Sequence, residues 1–283
     1  NKHEPETVDI SGEKTWEDNN NQDGKRPESI TVKLMKQVEG GQPEVKDTKV
    51  VREGTDKKWK YEFNNLPRYE NGKLITYSID EVDVPGYTKE TTATRTTNGP
   101  DYNLTNKHKP EKRTIEGQKI WNDNNNQDGK RPTSIKVKLY KKVGNNNPEY
   151  VTEKVVTEGA DKAWKWKFEN LDKYENKQEI QYIVAEKAVD GYTTTINGTN
   201  ITNTHTPEKI AIEGTKTWDD ANNQDGKRPE KITVELYKKV GDKQPEKVTT
   251  QEVKADKDGN WKYKFDNLPK YEGGKEITYS IDE

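Results

Sequence analysis

A lysine, a glutamate and an asparagine recur in this sequence at positions from which they could react with one another. In GEKTW (12–16), Lys14 and Trp16 are two residues apart, so on a β-strand they point to the same face. Tyr77, Ile79 and Glu81 share a face in YSIDE (77–81), as do Tyr102, Leu104 and Asn106 in YNLTN (102–106). If the aromatic and aliphatic residues face a core, Lys14, Glu81 and Asn106 face it too. The pattern returns with Lys119 beside Trp121, Glu186 beside Tyr182 and Val184, and Asn203 beside Ile201.

An unpaired charge inside a protein is strongly unfavourable, and three arrangements relieve it here. Lys14 and Glu81 can form a buried ion pair, the strand ends can be exposed, or the lysine amine can condense with the asparagine side chain. In the last case desolvation favours a neutral, nucleophilic amine and a protonated acid. That acid then polarises the asparagine carbonyl and relays protons as ammonia leaves. The product is a neutral amide. Alternation by itself leaves all three open.

These residues sit in a repeat, which is the dominant feature of the chain. GEKTW (12–16) returns as GQKIW (117–121) and GTKTW (214–218), and NNNQDGKRP (19–27) returns at 124–132 and, as NNQDGKRP, at 222–229. WKYEFNNLPRYE (59–70) matches WKWKFENLDKYE (164–175) and WKYKFDNLPKYE (261–272). Lys14 to Glu81, Lys119 to Glu186 and Lys216 to Glu283 are each 67 positions apart. The first unit runs 105 positions from Lys14 to Lys119 and the second 97 from Lys119 to Lys216. The difference of 8 falls after the GYT motif, between 86–106 and 191–203, where a surface hairpin or loop tolerates it. Units of this length read as beads rather than solenoid turns. The expected organisation is 1–7 as the tail of a preceding repeat, 8–107 and 112–205 as repeats, 209–283 as a third repeat truncated before its last strand, and 108–111 and 206–208 as polar linkers.

Composition narrows the class. Only 27% of the 283 residues are hydrophobic and 35% are charged, but 49 basic and 51 acidic residues nearly cancel. With 7 Trp and 14 Tyr at recurring positions, thin-cored small domains fit better than disorder. Such domains need a staple. There is no Cys, so no disulfide or thiolate metal site, and three His make zinc ligation a poor fit. No basic face suggests nucleic acid, no apolar run reaches membrane-spanning length, and no cofactor or membrane contact is expected. The loop at Asn19, Asn21 and Asp23 resembles part of a calcium loop, but Ile30 occupies the position for the bidentate glutamate and Ala221 replaces the first ligand in the third repeat. A hydrogen-bonded turn is the expected reading, and no metal site is assigned.

Period-two alternation in Ile30, Val32, Leu34 and in Trp59, Tyr61, Phe63, between Asn/Asp/Gly/Pro clusters, predicts antiparallel sheets with one wet face. The fold class is therefore all-β, a tandem of sandwiches. Trp164, Trp166 and Phe168 are expected in the core rather than as a sugar platform. His3, His108 and His205, at the junctions, are expected to be solvated.

In order along each unit, GxKxW, NNQDGKRP, WKYxF-x-NLPxY, YxIxE, GYT and a terminal T-N resemble the Cna B-type repeat domains of Gram-positive cell-wall-anchored surface adhesins, such as the B region of collagen adhesins. The resemblance covers nearly the whole chain and implies inverse-Ig-like (prealbumin-like) β-sandwiches. It also implies an isopeptide lysine at Lys14, Lys119 and Lys216, a bond-promoting glutamate at Glu81, Glu186 and Glu283, and a partner at Asn106 and Asn203. The third repeat departs from the pattern, with no asparagine strand, so Lys216 is expected to lack its partner and the unit to be incomplete unless another strand supplies the edge. The function implied is a stalk that projects a ligand-binding head from the bacterial cell wall, extracellular and monomeric, whose partners are neighbouring repeats and, through a head, a host extracellular-matrix protein. Two alternatives stand beside it. The repeats themselves could bind a host matrix protein or glycan, with the insertion after Gly86 as the candidate surface, or the chain could be a pilus backbone, for which a reactive YPKN-type lysine is missing. The only reaction expected is a single intramolecular event, not enzymatic turnover.

Overall fold

The computed structural model describes residues 2–96 and 99–283. Asn1, in the expected tail 1–7, and Thr97 and Asn98, within the 86–106 stretch, lie outside the described residues. The chain is all β-strand and turn among the described residues. In the first repeat, β1 (Thr7–Glu17), β4 (Trp59–Pro67), β7 (Thr88–Arg95) and β8 (Pro100–Lys107) form one sheet, ordered β4-β1-β8-β7. The second sheet, β3-β2-β6-β5, contains β2 (Ile30–Val38), β3 (Glu44–Val51), β5 (Tyr69–Glu70) and β6 (Lys73–Glu81).

Alternation builds these sheets as expected. Ile30, Val32 and Leu34 on β2, Trp59, Tyr61 and Phe63 on β4, and Tyr77 and Ile79 on β6 are buried in one cluster with Ile10 and Leu104. At about 25 cal/mol per Å2 of apolar surface removed from water, such side chains hold the sheets together. All contacts between neighbouring strands are antiparallel except one: β1 and β8, the first and last strands of the repeat, pair in parallel, with Lys14 opposite Leu104 and Trp16 opposite Asn106. Gly12 permits this approach, because a Cβ there would lie 1.9 Å from the Tyr102 carbonyl oxygen.

The second repeat repeats the scheme. Its strands are β9 (Lys112–Asn122), β10 (Ser134–Val143), β11 (Glu149–Thr157), β12 (Trp164–Asp172), β13 (Tyr174–Glu175), β14 (Gln178–Glu186), β15 (Thr193–Asn197) and β16 (Asn200–Thr204), in sheets ordered β12-β9-β16-β15 and β11-β10-β14-β13. The length difference between repeats is a hairpin difference. The β7/β8 ladder runs from Thr88–Lys107 to Arg95–Pro100, whereas β15/β16 stops after Asn197–Asn200. In the third repeat, β18 (Ile232–Val240), β19 (Glu246–Val253), β21 (Tyr271–Glu272) and β22 (Lys275–Asp282) form a sheet ordered β19-β18-β22-β21, and β17 (Lys209–Lys216) pairs with β20 (Trp261–Pro269). The chain packs as two compact units, Asn1–Thr114 with Lys141–Glu149 and Glu169–Tyr182, and Ile115–Tyr140 with Tyr150–Phe168 and Ile183–Glu283, a division that passes through the second repeat.

The NNNQDGKRP loop has an unusual backbone. Asn19, Asn20 and Asn21 all have positive φ (50, 57 and 58°), as do Asn124, Asn125 and Asn126. Asparagine tolerates the left-handed region better than other non-glycine residues, which accounts for the run of three. In the third repeat the first of these positions is Ala221, at φ 44°. Ala221→Asn should therefore raise the stability of the third repeat by about 1 kcal/mol. Differential scanning calorimetry checks this, and an unchanged or lowered transition would contradict the strain argument.

Candidate functional site

The lysine, glutamate and asparagine of the first repeat meet inside the sandwich. Lys14 lies near the end of β1, Asn106 near the end of the adjoining β8, and Glu81 at the end of β6 on the facing sheet. All three are buried, with relative exposures of 2, 1 and 1% for Lys14, Asn106 and Glu81. The Lys14 ammonium donates to Glu81 Oε2 at 2.8 Å, and Asn106 Nδ2 donates to Glu81 Oε1 at 3.0 Å. One carboxyl thus bridges the amine and the amide. Asn106 Oδ1 is buried without a hydrogen-bond partner.

The second repeat gathers Lys119, Glu186 and Asn203 in the same register, with Lys119 opposite Ile201 and Trp121 opposite Asn203. Lys119 Nζ is 3.0 Å from Glu186 Oε1 and donates to Oε2 at 3.2 Å, with both side chains fully buried. Lys216 and Glu283 also pair, at 2.7 Å, but their side chains remain 27 and 42% exposed, so that pair is wet. Burial lowers the Lys14 pKa despite the opposing hydrogen bond and charge of Glu81, with Lys89 pushing in the same direction as burial. Burial lowers that of Lys119 too, against Glu186. Neutral amine is the nucleophilic form.

A brace invisible to period-two reading covers each lysine. The Trp16 ring centroid lies 4.6 Å from Lys14 Nζ and packs edge-on against Trp59 and Tyr87. Arg26 lies over the same ring, 5.5 Å from its centroid, and grips Asp18 through Nε (3.0 Å) and Nη2 (2.6 Å), while the Tyr87 hydroxyl donates to Asp18 Oδ2 at 2.8 Å. Trp121, Arg131, Asp123 and Tyr192 repeat the arrangement, and Trp218, Arg228 and Asp220 repeat most of it. The sequence does carry the signal: Asp and Arg stand eight apart in all three units. The NNNQDGKRP loop is thus a turn that clamps the tryptophan over the lysine. Among the described residues, no cluster of His, Asp and Glu could hold a metal ion.

Two of the linker histidines depart from expectation. His3 is exposed, but the His108 and His205 side chains are only 9% exposed. His108 bonds Gly86 O through Nδ1 (2.8 Å) and Asp23 Oδ2 through Nε2 (2.9 Å), and the same oxygen accepts the Glu111 backbone N–H at 2.8 Å. His205, Gly191, Asp128 and Glu208 make the equivalent set. A buried carboxylate needs donors, and these come from sequence-distant positions, which is why a local reading missed them. Trp164, Trp166 and Phe168 are in the core, each at most 7% exposed.

Paired sheets joined by a parallel first and last strand, with a buried lysine between them, define a tandem of Ig-like β-sandwiches. The Cna protein B-type domain family matches residues 10–107, 115–204 and 212–283, and the chain belongs to that family. It is 42% identical over 289 residues to a collagen adhesin of Staphylococcus aureus, an alignment that covers 100% of this chain and 22% of that protein. The chain therefore spans about a fifth of the length of this curated relative. A crystal structure of two B repeat units of the collagen-binding protein of Staphylococcus aureus aligns with a TM-score of 0.51 and 40% identity, over 98% of this chain and 68% of that one.

The brace has a measurable consequence. Burial opposes ionisation of Asp18, but Arg26, the Asn21 N–H and Tyr87 outweigh it and hold the carboxyl below the usual range. A depressed folded value means stability that is present above an unfolded aspartate's pKa of about 4 and lost as pH falls through the folded value. Arg26→Ala, which leaves Asp18 buried and uncompensated, should cost roughly 3 kcal/mol in the first repeat. It should also flatten the acid limb of that repeat's pH–stability curve. Thermal melts between pH 2 and 7 test both.

Proposed function

We propose that this chain is a stalk segment of an extracellular, cell-wall-anchored bacterial adhesin, and that its first two repeats cross-link themselves through Lys14–Asn106 and Lys119–Asn203. The observation that carries this reading is the burial of lysine, glutamate and asparagine together, with Glu81 hydrogen-bonded to both reacting groups. The cross-linked units correspond to 8–107 and 112–205, with 209–283 as a third repeat and 108–111 and 206–208 as linkers. In this reading a host matrix ligand is bound by a head domain and not by these repeats. The similarity to a collagen adhesin supports the adhesin assignment, and the near-identity of the repeats supports a spacer role.

The chemistry begins with proton transfer from the Lys14 ammonium to Glu81 along their hydrogen bond, which leaves a neutral amine and a carboxylic acid. Once the Asn106 amide turns its unpartnered Oδ1 towards the acid, Glu81 donates a hydrogen bond to that oxygen and Lys14 Nζ attacks Cγ. The proton gained by Nζ passes through Glu81 to the departing nitrogen, the Cγ–Nδ2 bond breaks and ammonia leaves. Glu81 ends with its proton, and the new Nζ–Cγ amide is neutral. A tie across the 92 positions from Lys14 to Asn106 should contribute roughly 4 to 5 kcal/mol by loop-closure entropy, by analogy with a disulfide.

Intact-mass measurement of the full chain should find two ammonia losses. Glu81→Ala should show one, after allowance for the substitution, and should make the first repeat more sensitive to heat and protease. A wild-type mass equal to the unreacted sequence would refute the cross-link. A cross-linked chain that binds matrix protein or glycan by itself would instead refute the spacer role.

A further inference from the structure

The residue across the ladder from the reacting asparagine differs between the two complete repeats. On β7, Lys89 pairs with Asn106; on β15, Thr194 pairs with Asn203. Lys89 leaves the carboxyl of Glu81 alone. Its ammonium donates to the Glu81 backbone oxygen at 2.6 Å and to Asp80 Oδ1 at 2.8 Å, and lies 2.9 Å from Asp83 Oδ1. Both carboxyl oxygens of Glu81 remain for the reacting groups, one for Lys14 and one for Asn106.

Thr194 acts on the carboxyl itself. Its hydroxyl donates to Glu186 Oε2 at 3.1 Å, the oxygen that also accepts from Lys119. The other oxygen lies 3.0 Å from the same ammonium, and both amide atoms of Asn203 are buried without a hydrogen-bond partner. The glutamate of the second repeat is therefore engaged by its lysine and by Thr194, with no hydrogen bond to the amide. A hydroxyl that donates to a carboxylate also favours the ionised form, whereas cross-linking needs the acid.

We propose that the residue opposite the reacting asparagine is a positioning residue that sets the pace of cross-linking, and that Thr194 makes the second repeat the slower of the two. This rests on the self-cross-linking reading above. Thr194 is exposed on an outer strand, so its replacement leaves the core intact.

The full chain is made by cell-free synthesis, denatured in acid at intervals and proteolysed, and the Lys14–Asn106 and Lys119–Asn203 peptide pairs are counted by mass spectrometry. In the wild type the first pair should accumulate before the second. Thr194→Val should speed the second pair about tenfold, the rate equivalent of one hydrogen bond to a charged group. Thr194→Ser, which keeps the hydroxyl, should stay slow, and the first pair serves as the internal control in each chain. Equal rates in the wild type, or a second pair indifferent to Thr194→Val, would overturn this inference and leave the cross-link standing. Failure of either pair to form in any chain would overturn both.

Discussion

Everything in these repeats turns on a lysine side chain enclosed in a dry interior. Removing an ammonium from water costs several kcal/mol even after the protein relaxes, and a single carboxylate partner does not reliably repay it. Lys14 is 2% exposed in a domain whose chain is only 27% hydrophobic, so the surrounding core has little surplus with which to offset that cost. The sheet order answers this constraint. Parallel pairing of β1 with β8 sets Asn106 beside the lysine, and the antiparallel ladder from β2 to β6 aims Glu81 from the other sheet. Three strands distant in sequence thereby supply the three members of one polar cluster.

The enclosure extends beyond the trio. Trp16 covers the ammonium, Arg26 covers Trp16, and Asp18 holds Arg26. Arg26 is the more exposed of the outer pair, at 20%, and Asp18, at 1%, anchors it from within. This gives the three left-handed asparagines a purpose, since they return the chain from Asp18 to Arg26 over eight residues. In the third repeat the same layers of Trp218, Arg228 and Asp220 are present, yet Lys216 remains wet because β17 has a partner strand on one side only.

Much of this was legible in the sequence, because alternation is a local signal. The faces of β2, β4 and β6 and the inward placement of Lys14, Glu81 and Asn106 follow from side chains two residues apart. The brace and the buried histidines did not follow. Asp18 and Tyr87 are 69 positions apart and Asp23 and His108 are 85 apart, and such pairs arise only when loops at one end of a sandwich converge. Repetition held a clue even so, since polar residues kept at fixed offsets in every unit mark contacts that composition treats as solvated surface. The contrast between Lys89 and Thr194 was beyond reach, because it depends on hairpin register.

The parallel pairing of β1 with β8 also fixes the direction of the chain through each complete repeat. The polypeptide enters at the start of β1 and departs from the end of β8, at opposite ends of one sheet. Shear along this pair would load its hydrogen bonds together, and the proposed Lys14–Asn106 bond, which ties the same two strands, would carry the tension directly from one to the other. Such loading does not peel the hydrogen bonds one by one, as it would if the terminal strands were antiparallel neighbours. The geometry suits a link in a towed chain, in which traction is shared along a seam rather than concentrated at its lip.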